Sequence, residues 1–327
     1  MSGRKTKVLH AQPTWRIMMF CLPARQGCVI LMREFSKTMM FQAADMSPLI
    51  STQQLAEMHG THGVHLLDAT ALLPGETFNP QQNFASAHIP GSQYFDIELF
   101  SDPESALPHT APSAAHFSHL FGRMGITAQD TVIFYDQGNV ASACRGWWLT
   151  RLFGHERSFI LDGGLPAWIR DGHPTEAGIP AATLPAPYQP RTCYTRIVGL
   201  GDMLDIVTHT LRPVLDARSA ARFYGETPEP RPNVASGHMP GARNMPYKSL
   251  LDVHGKFLLP EQLRPMFFKA GITESDSPIT TCGSGMTAAV LTAGLAIAEL
   301  DMGALYDGSW AEWGSFPNAP ITVERTA

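Results

Sequence analysis

From Ser47 onward, short β-branched and aromatic runs alternate with longer stretches whose apolar residues recur at helical spacing. The first such runs are Val64 to Leu67, Thr131 to Tyr135 and Ser158 to Leu161. Short strands alternating with helical patterns predict an α/β fold built around a parallel sheet. Further on, Ile279 to Thr281 reads as another short strand, and Ala288 to Leu300, rich in Ala, Val and Leu, as a buried helix. Between these regions Gly178 to Arg196 holds Pro180, Pro185, Pro187 and Pro190 and few charges, and reads as an extended linker.

The pattern repeats itself. Leu67-Asp68-Ala69 recurs as Leu215-Asp216-Ala217, and Ala87-His88-Ile89-Pro90-Gly91 as Gly237-His238-Met239-Pro240-Gly241. Met124-Gly125-Ile126-Thr127 returns as Ala270-Gly271-Ile272-Thr273, and Leu161-Asp162-Gly163-Gly164 with Trp168 as Tyr306-Asp307-Gly308-Ser309 with Trp313. Nearly constant offsets in one order mean a duplicated domain. The expected organisation is residues 1–45 outside the fold, a first domain over 46–177, the linker over 178–196 and a second domain over 197–327. Residues that both copies carry, namely Asp68 and Asp216, His88 and His238, Asp162 and Asp307, Trp168 and Trp313, are expected to satisfy turns and cores. An offset of 146 places Asp136 where Cys282 stands, so the thiol belongs to one copy only.

Composition narrows the class. A chain of 327 residues with 44% hydrophobic and 16% charged side chains has ample material for two cores, and no uninterrupted apolar run is long enough to span a bilayer. A formal charge of −5 gives no electrostatic case for nucleic acid. The charge is uneven: six Lys or Arg and no acid fall in residues 1–33, whereas residues 46 onward carry a formal −10. That basic start fits either a transit peptide or an extension upstream of a working start at Met40 or Met46, the second being preferred. Five cysteines (21, 28, 144, 193 and 282) with no C-x-x-C argue against a disulfide framework or a zinc site and for a reducing compartment. No metal or organic cofactor is expected.

The chemistry concentrates at Thr280-Thr281-Cys282-Gly283-Ser284-Gly285-Met286-Thr287, a thiol between a strand and a helix start with glycines around it. Such a loop can turn successive N–H groups inward, and the helix N-terminus adds partial positive charge, which favours a thiolate. Three chemistries use this arrangement. A Cys phosphatase needs an Arg six positions after the Cys, where Ala288 stands; a Cys protease needs a His base, and none lies near in sequence, although one from the other repeat stays open. Sulfur transfer needs only a thiolate and a cradle for the persulfide.

At this point the chain from about Ser47 to its end resembles the two-domain rhodanese family, which has an inactive first domain and a catalytic second one. The resemblance implies two tandem rhodanese-like domains, each a parallel sheet flanked by helices. The loop is similar to that of the 3-mercaptopyruvate branch; the thiosulfate branch has Arg and Lys where Gly283 and Ser284 stand. It implies Cys282 as the nucleophile that carries a persulfide, with Gly283, Gly285, Met286 and Thr287 against the substrate. Within Arg222-Phe223-Tyr224-Gly225-Glu226-Thr227-Pro228-Glu229-Pro230-Arg231 it implies Arg222 and Arg231 as a clamp on the donor's carboxylate and keto oxygen. A relay of Ser284, His109 and Glu98 is implied across the two domains, with Glu98 where animal forms have Asp. Cys144 stands where the family usually has Pro, and reads as a small buried residue.

The activity so implied moves sulfur from 3-mercaptopyruvate, releasing pyruvate. The expected acceptor is cyanide or a thiol, either a small thiol or a thioredoxin-like protein, with neither nucleic acid nor membrane as partner. The expected place is cytoplasmic, or mitochondrial if residues 1–45 are a transit peptide. The alternatives are a thiosulfate sulfurtransferase and a non-catalytic sulfur-carrier or protein-binding module.

Overall fold

The computed structural model describes residues 47–323, so the expectation for residues 1–45 lies outside the described residues. The first half contains β1 (Leu49–Ile50), β2 (Val64–Asp68), β3 (Gln93–Tyr94), β4 (Thr131–Tyr135) and β5 (Ser158–Leu161), paired in the order β1-β5-β4-β2-β3. The second contains β6 (Ile197–Val198), β7 (Val214–Asp216), β8 (Arg243–Asn244), β9 (Ile279–Thr281) and β10 (Ala304–Tyr306), in the order β6-β10-β9-β7-β8. All these pairings are parallel, and the two orders are the same. The sequence repeat is therefore a repeat of topology. The anticipated runs form strands, β2 reaching one residue further to Asp68, whereas the two-residue edge strands leave no period to read.

Helix starts follow local chemistry. The helix Thr52–Met58 opens with a capping box, Ser51 Oγ accepting from Gln54 N–H (3.2 Å) and Gln54 Oε1 from Ser51 N–H (2.9 Å). The helix Ala288–Ile297 ends earlier than its apolar composition predicts. Glu299 turns into the left-handed region (φ 56°), and the N–H groups of Glu299 and Leu300 close on the carbonyls of Ala296 (3.1 Å) and Leu295 (2.9 Å). That is a Schellman stop. A Glu rather than a Gly makes it, so the sequence carried no stop signal.

Two helices join the halves. Ala141–Leu152 follows β4 and Ala288–Ile297 follows β9; they pack against each other, and all their residues are buried except Arg151 and Ala296. Burial on every face explains why both lack a polar stripe. Together they merge the inner cores of both sheets into one cluster, while smaller clusters around Trp168 and around Trp310 and Trp313 cover the outer faces. Residues 178–193 run without helix or strand; Ala186 N–H donates to Gly122 O (2.8 Å), and Tyr188 is buried against Phe117 and Phe121.

Shared residues are mostly scaffold. His88 and His238 are buried, stack on Phe84 and Phe223, and bond the carbonyls of those residues (2.8 and 3.0 Å). Trp168 and Trp313 donate to Pro174 O and Pro320 O. Asp162 and Asp307 differ from the expectation: each holds the backbone of the other half. Asp162 Oδ1 accepts from Phe257 N–H (3.0 Å) and Asp307 Oδ2 from Ala111 N–H (2.6 Å). The halves thus grip each other reciprocally, through positions 111 and 257 that stand one repeat apart. Among the described residues no helix is long and apolar enough to cross a membrane.

Candidate active site

Parallel pairing puts the ends of β7 and β9 side by side, with Asp216 opposite Thr281. Cys282 therefore emerges at the carboxyl edge of the sheet, the edge where α/β folds gather ligands. Its loop is held from outside. Cys282 O and Gly283 O accept from the N–H groups of Trp310 and Ala311 (both 2.9 Å), and Ser309 Oγ accepts from the N–H groups of Cys282 (3.2 Å) and Gly285 (3.1 Å). These bonds engage two carbonyls and two N–H groups of the loop. Among the described residues, none accepts from the N–H of Gly283, Ser284, Met286 or Thr287. The helix Ala288–Ile297 starts immediately beyond, without a side-chain cap. Cys282 is 2% exposed, and Ser284 and Met286 are buried beside it.

Gly283 is where the two arginines of the expected clamp converge. A Cβ at that position would stand 3.1 Å from Arg222 Nη2 and 3.8 Å from Arg231 Nη1, so both guanidinium groups reach the residue after the thiol. Burial lowers the Arg231 pKa, the like charge of Arg222 adds to that, and Cys282, Glu229 and Glu98 oppose it. Arg222 lies on the short helix Ala220–Phe223 and leans on Glu229, which accepts from its Nε (3.2 Å) and its Nη2. Glu229 also accepts from Arg218 Nη1 (2.9 Å), and Arg218 is held by Asp216 and stacks on Trp310 with its guanidinium carbon 4.2 Å from the ring centroid.

The relay residues meet across the two halves. His109 Nδ1 lies 3.0 Å from Ser284 Oγ, and His109 Nε2 lies 2.8 Å from Glu98 Oε1. The hydrogen bond from His109 holds the Glu98 carboxyl below its ordinary range, against partial burial. His109 adopts φ 60°, an uncommon conformation for a residue other than glycine. What holds it there is Arg145, fully buried on the helix Ala141–Leu152: its Nη2 donates to His109 O and to Asp307 Oδ1 (2.8 Å), and its Nη1 lies 3.5 Å from Gly285 O. One guanidinium thereby ties the His109 segment, Asp307 and the Cys282 loop together.

Every residue singled out from the sequence for this site is thus gathered at one place. Gly285 takes φ 79° and spends its N–H on Ser309, so its part is conformational, while Thr287 lies half-buried at the loop's end. Sequence reasoning missed Ser309, Glu229 and Arg145 as contributors. Arg145 had a readable signal, a cation in the middle of a largely apolar helix whose other charge, Arg151, lies in the last turn; Glu229 and Ser309 act through contacts that only folding creates. Cys144 is fully buried, and burial pushes its thiol well up, with Asp136 and Asp162 adding to the effect.

The model of the rhodanese-like domain matches residues 51–171 and again residues 200–315. The chain belongs to the rhodanese family. A curated family member, 3-mercaptopyruvate sulfurtransferase of Escherichia coli K12, is 37% identical over 276 residues, covering 83% of this chain and 96% of the relative. Thiosulfate/3-mercaptopyruvate sulfurtransferase 1 of Arabidopsis thaliana is 33% identical over 306 residues, covering 86% of this chain and 79% of the relative. The crystal structure of SseA from Escherichia coli, described as a 3-mercaptopyruvate sulfotransferase of rhodanese fold, superposes with a TM-score of 0.74 at 34% identity, covering 81% of this chain and 99% of that one. The duplicated domain expected from the repeat, and the tandem rhodanese architecture implied by the resemblance, are the ones observed.

Proposed function

We propose that this sulfurtransferase takes its sulfur from 3-mercaptopyruvate, and that Cys282 carries it as a persulfide to a thiol acceptor. The observation that supports the donor most directly is the convergence of Arg222 and Arg231 on Gly283, beside a loop without charged side chains of its own. A compact dianion such as thiosulfate calls for cations in the loop itself. A donor whose carboxylate lies a few atoms from its sulfur suits a clamp placed beside the thiol.

In the first step Cys282 thiolate attacks the donor sulfur. The new S–S bond forms as the C–S bond breaks, and the electron pair leaves with carbon as the enolate of pyruvate, whose developing charge Arg222 and Arg231 face. The donor thiol's proton passes to Ser284 Oγ as that hydroxyl gives its own towards His109, which Glu98 orients, and it finally reaches the enolate carbon. Atoms and charge balance: thiolate and mercaptopyruvate become persulfide anion and pyruvate. The inward N–H groups of the loop hold the outer sulfur until an acceptor thiolate, or cyanide, removes it and restores Cys282.

Small thiols and thioredoxin-like proteins are the acceptor classes, and the cytoplasm the place, that fit the unpaired Cys144, Cys193 and Cys282. The second reading, thiosulfate as the main donor, draws on the name of the Arabidopsis relative. Side-by-side rates with the two donors, cyanide being the acceptor, decide between them. Faster turnover of thiosulfate would replace the first reading, and a stable persulfide without pyruvate release would point to a sulfur carrier.

A further inference from the structure

Behind the clamp lies a row of buried charges that the reaction steps do not use. Asp216 at the end of β7 accepts from Arg218 Nε (3.1 and 3.0 Å to its two oxygens) and Nη2 (2.7 Å), so Arg218 already has a full carboxylate partner. Arg218 then offers Nη1 to Glu229 Oε1 (2.9 Å), and Glu229 takes Arg222 on both oxygens. The side chains of Asp216, Arg218 and Glu229 are 1%, 0% and 3% exposed, so water screens none of them. Three guanidinium groups, those of Arg218, Arg222 and Arg231, face two buried carboxylates. The Cys282 thiolate also faces Arg231, but the N–H groups of its own loop serve it, so one positive charge of the arginines is left over for the donor. Glu98, the other carboxylate near Arg231, is bonded to His109 and 68% exposed, which weakens its reach.

We infer that Glu229 is the positioning residue that aims Arg222 at Gly283 and trims the clamp to a single excess positive charge, which selects monoanionic donors over dianionic ones. The inference rests on the proposed 3-mercaptopyruvate reading and adds to it the residue that sets the selectivity. A 2-oxo acid carrying one carboxylate neutralises the excess charge. Thiosulfate brings two negative charges and leaves one without a counter-charge in a partly buried site, which costs free energy. Without the Glu229 charge the clamp would carry two excess positive charges and suit the dianion. A residue that only held the loop together would show neither behaviour, since its loss would weaken both donors alike.

The test is steady-state kinetics of the full chain with 3-mercaptopyruvate and with thiosulfate, for the native protein, Glu229→Gln and Glu229→Asp, with thermal unfolding of each. Glu229→Gln keeps the shape and removes the charge; the ratio of kcat/KM for thiosulfate to that for 3-mercaptopyruvate should rise roughly tenfold, the scale of one unit charge in a screened, partly buried site. Glu229→Asp keeps the charge and shortens the arm; KM for 3-mercaptopyruvate should rise several-fold with the donor ratio near the native value. An unchanged ratio in a folded Glu229→Gln protein overturns the inference. If Glu229→Gln does not fold, a donor ratio in Glu229→Asp that moves as far as tenfold overturns it instead. A native protein inactive with 3-mercaptopyruvate would refute the reading beneath, which is a separate outcome.

Discussion

The loops after β4 and β9 leave equivalent strands, lead into equivalent helices, and are filled differently. In the first half Asp136 sits where Cys282 sits in the second, and it turns its carboxylate into its own loop: Oδ1 accepts from the N–H groups of Gly138 (2.9 Å) and Val140 (3.1 Å), and Oδ2 from that of Ala143 (3.2 Å). The first loop has supplied its own anion. Shifted by one repeat, Gly138 and Val140 correspond to Ser284 and Met286, whose N–H groups have no acceptor among the described residues. The comparison teaches that this backbone shape is an anion cradle before any catalytic residue is added. A built-in carboxylate makes it a structural plug, and a thiol leaves its N–H groups free for the proposed persulfide. Burial pushes the Asp136 carboxyl up, and the three N–H groups only partly offset this.

The largest expected break of the comparison is at the thiol. Cys282→Ser should abolish sulfur transfer, whereas Cys144→Ser and Cys193→Ser should remain active. Intact-mass spectrometry after donor addition should find one added sulfur, and peptide mapping should place it on Cys282. Sulfur found on Cys144 or Cys193 would sink the assignment.

Next is the clamp, which the first loop lacks. Arg222→Ala or Arg231→Ala should lower kcat/KM for 3-mercaptopyruvate by roughly ten- to a hundredfold, since a charged hydrogen bond is worth about 1.5–3 kcal/mol. Gly283→Ala belongs in the same experiment. Its methyl would press on Arg222 Nη2 at 3.1 Å, and a smaller loss, about threefold to tenfold, is expected from a moved clamp. Steady-state rates that stay native in all three would show that the donor binds elsewhere.

The relay should matter less, because Glu98 acts on Ser284 only through His109. Glu98→Gln should reduce kcat with 3-mercaptopyruvate by about twofold to tenfold, below the full range for a group that itself transfers a proton. The pH dependence has a definite sign. The Glu98 carboxyl is held low by His109, so its stabilising bond is complete above the ordinary carboxylate range and is lost as pH falls through the lowered value. The native pH–rate profile should therefore lose activity on the acid side in a way that Glu98→Gln does not share.

The smallest effect on catalysis should come from the plug itself. Asp136→Ala leaves three N–H groups without their acceptor and should cost about 1–3 kcal/mol in denaturant unfolding, with sulfur loading of Cys282 unchanged. Because burial raises its pKa, the penalty for charging Asp136 is absent below about pH 4 and grows as pH rises through the raised folded value. Asp136→Asn cannot titrate, so its stability should vary less with pH across that range. Loss of sulfur loading in either variant would mean that the first loop is more than a plug.

The sequence by itself determined what is local or periodic. Both copies, the strands β2, β4, β5 and β9, and the thiol between glycines are patterns of neighbouring residues, and the constant offset linked one copy to the other. Arg222, Arg231, His109 and Glu98 were legible only through family resemblance, and no spacing in the chain says that His109 lies beside Ser284, 175 residues away. Tertiary structure decided that meeting by packing the two central helices and by fastening Asp307 to Ala111 and Arg145. It also decided that Asp162 and Asp307 serve the opposite half, that Glu229 balances the clamp, and that Ser309 turns the loop. The physical reason is common to these cases: a short polar side chain states only that it needs a partner, and which partner it finds depends on what the folded backbone brings within 3 Å.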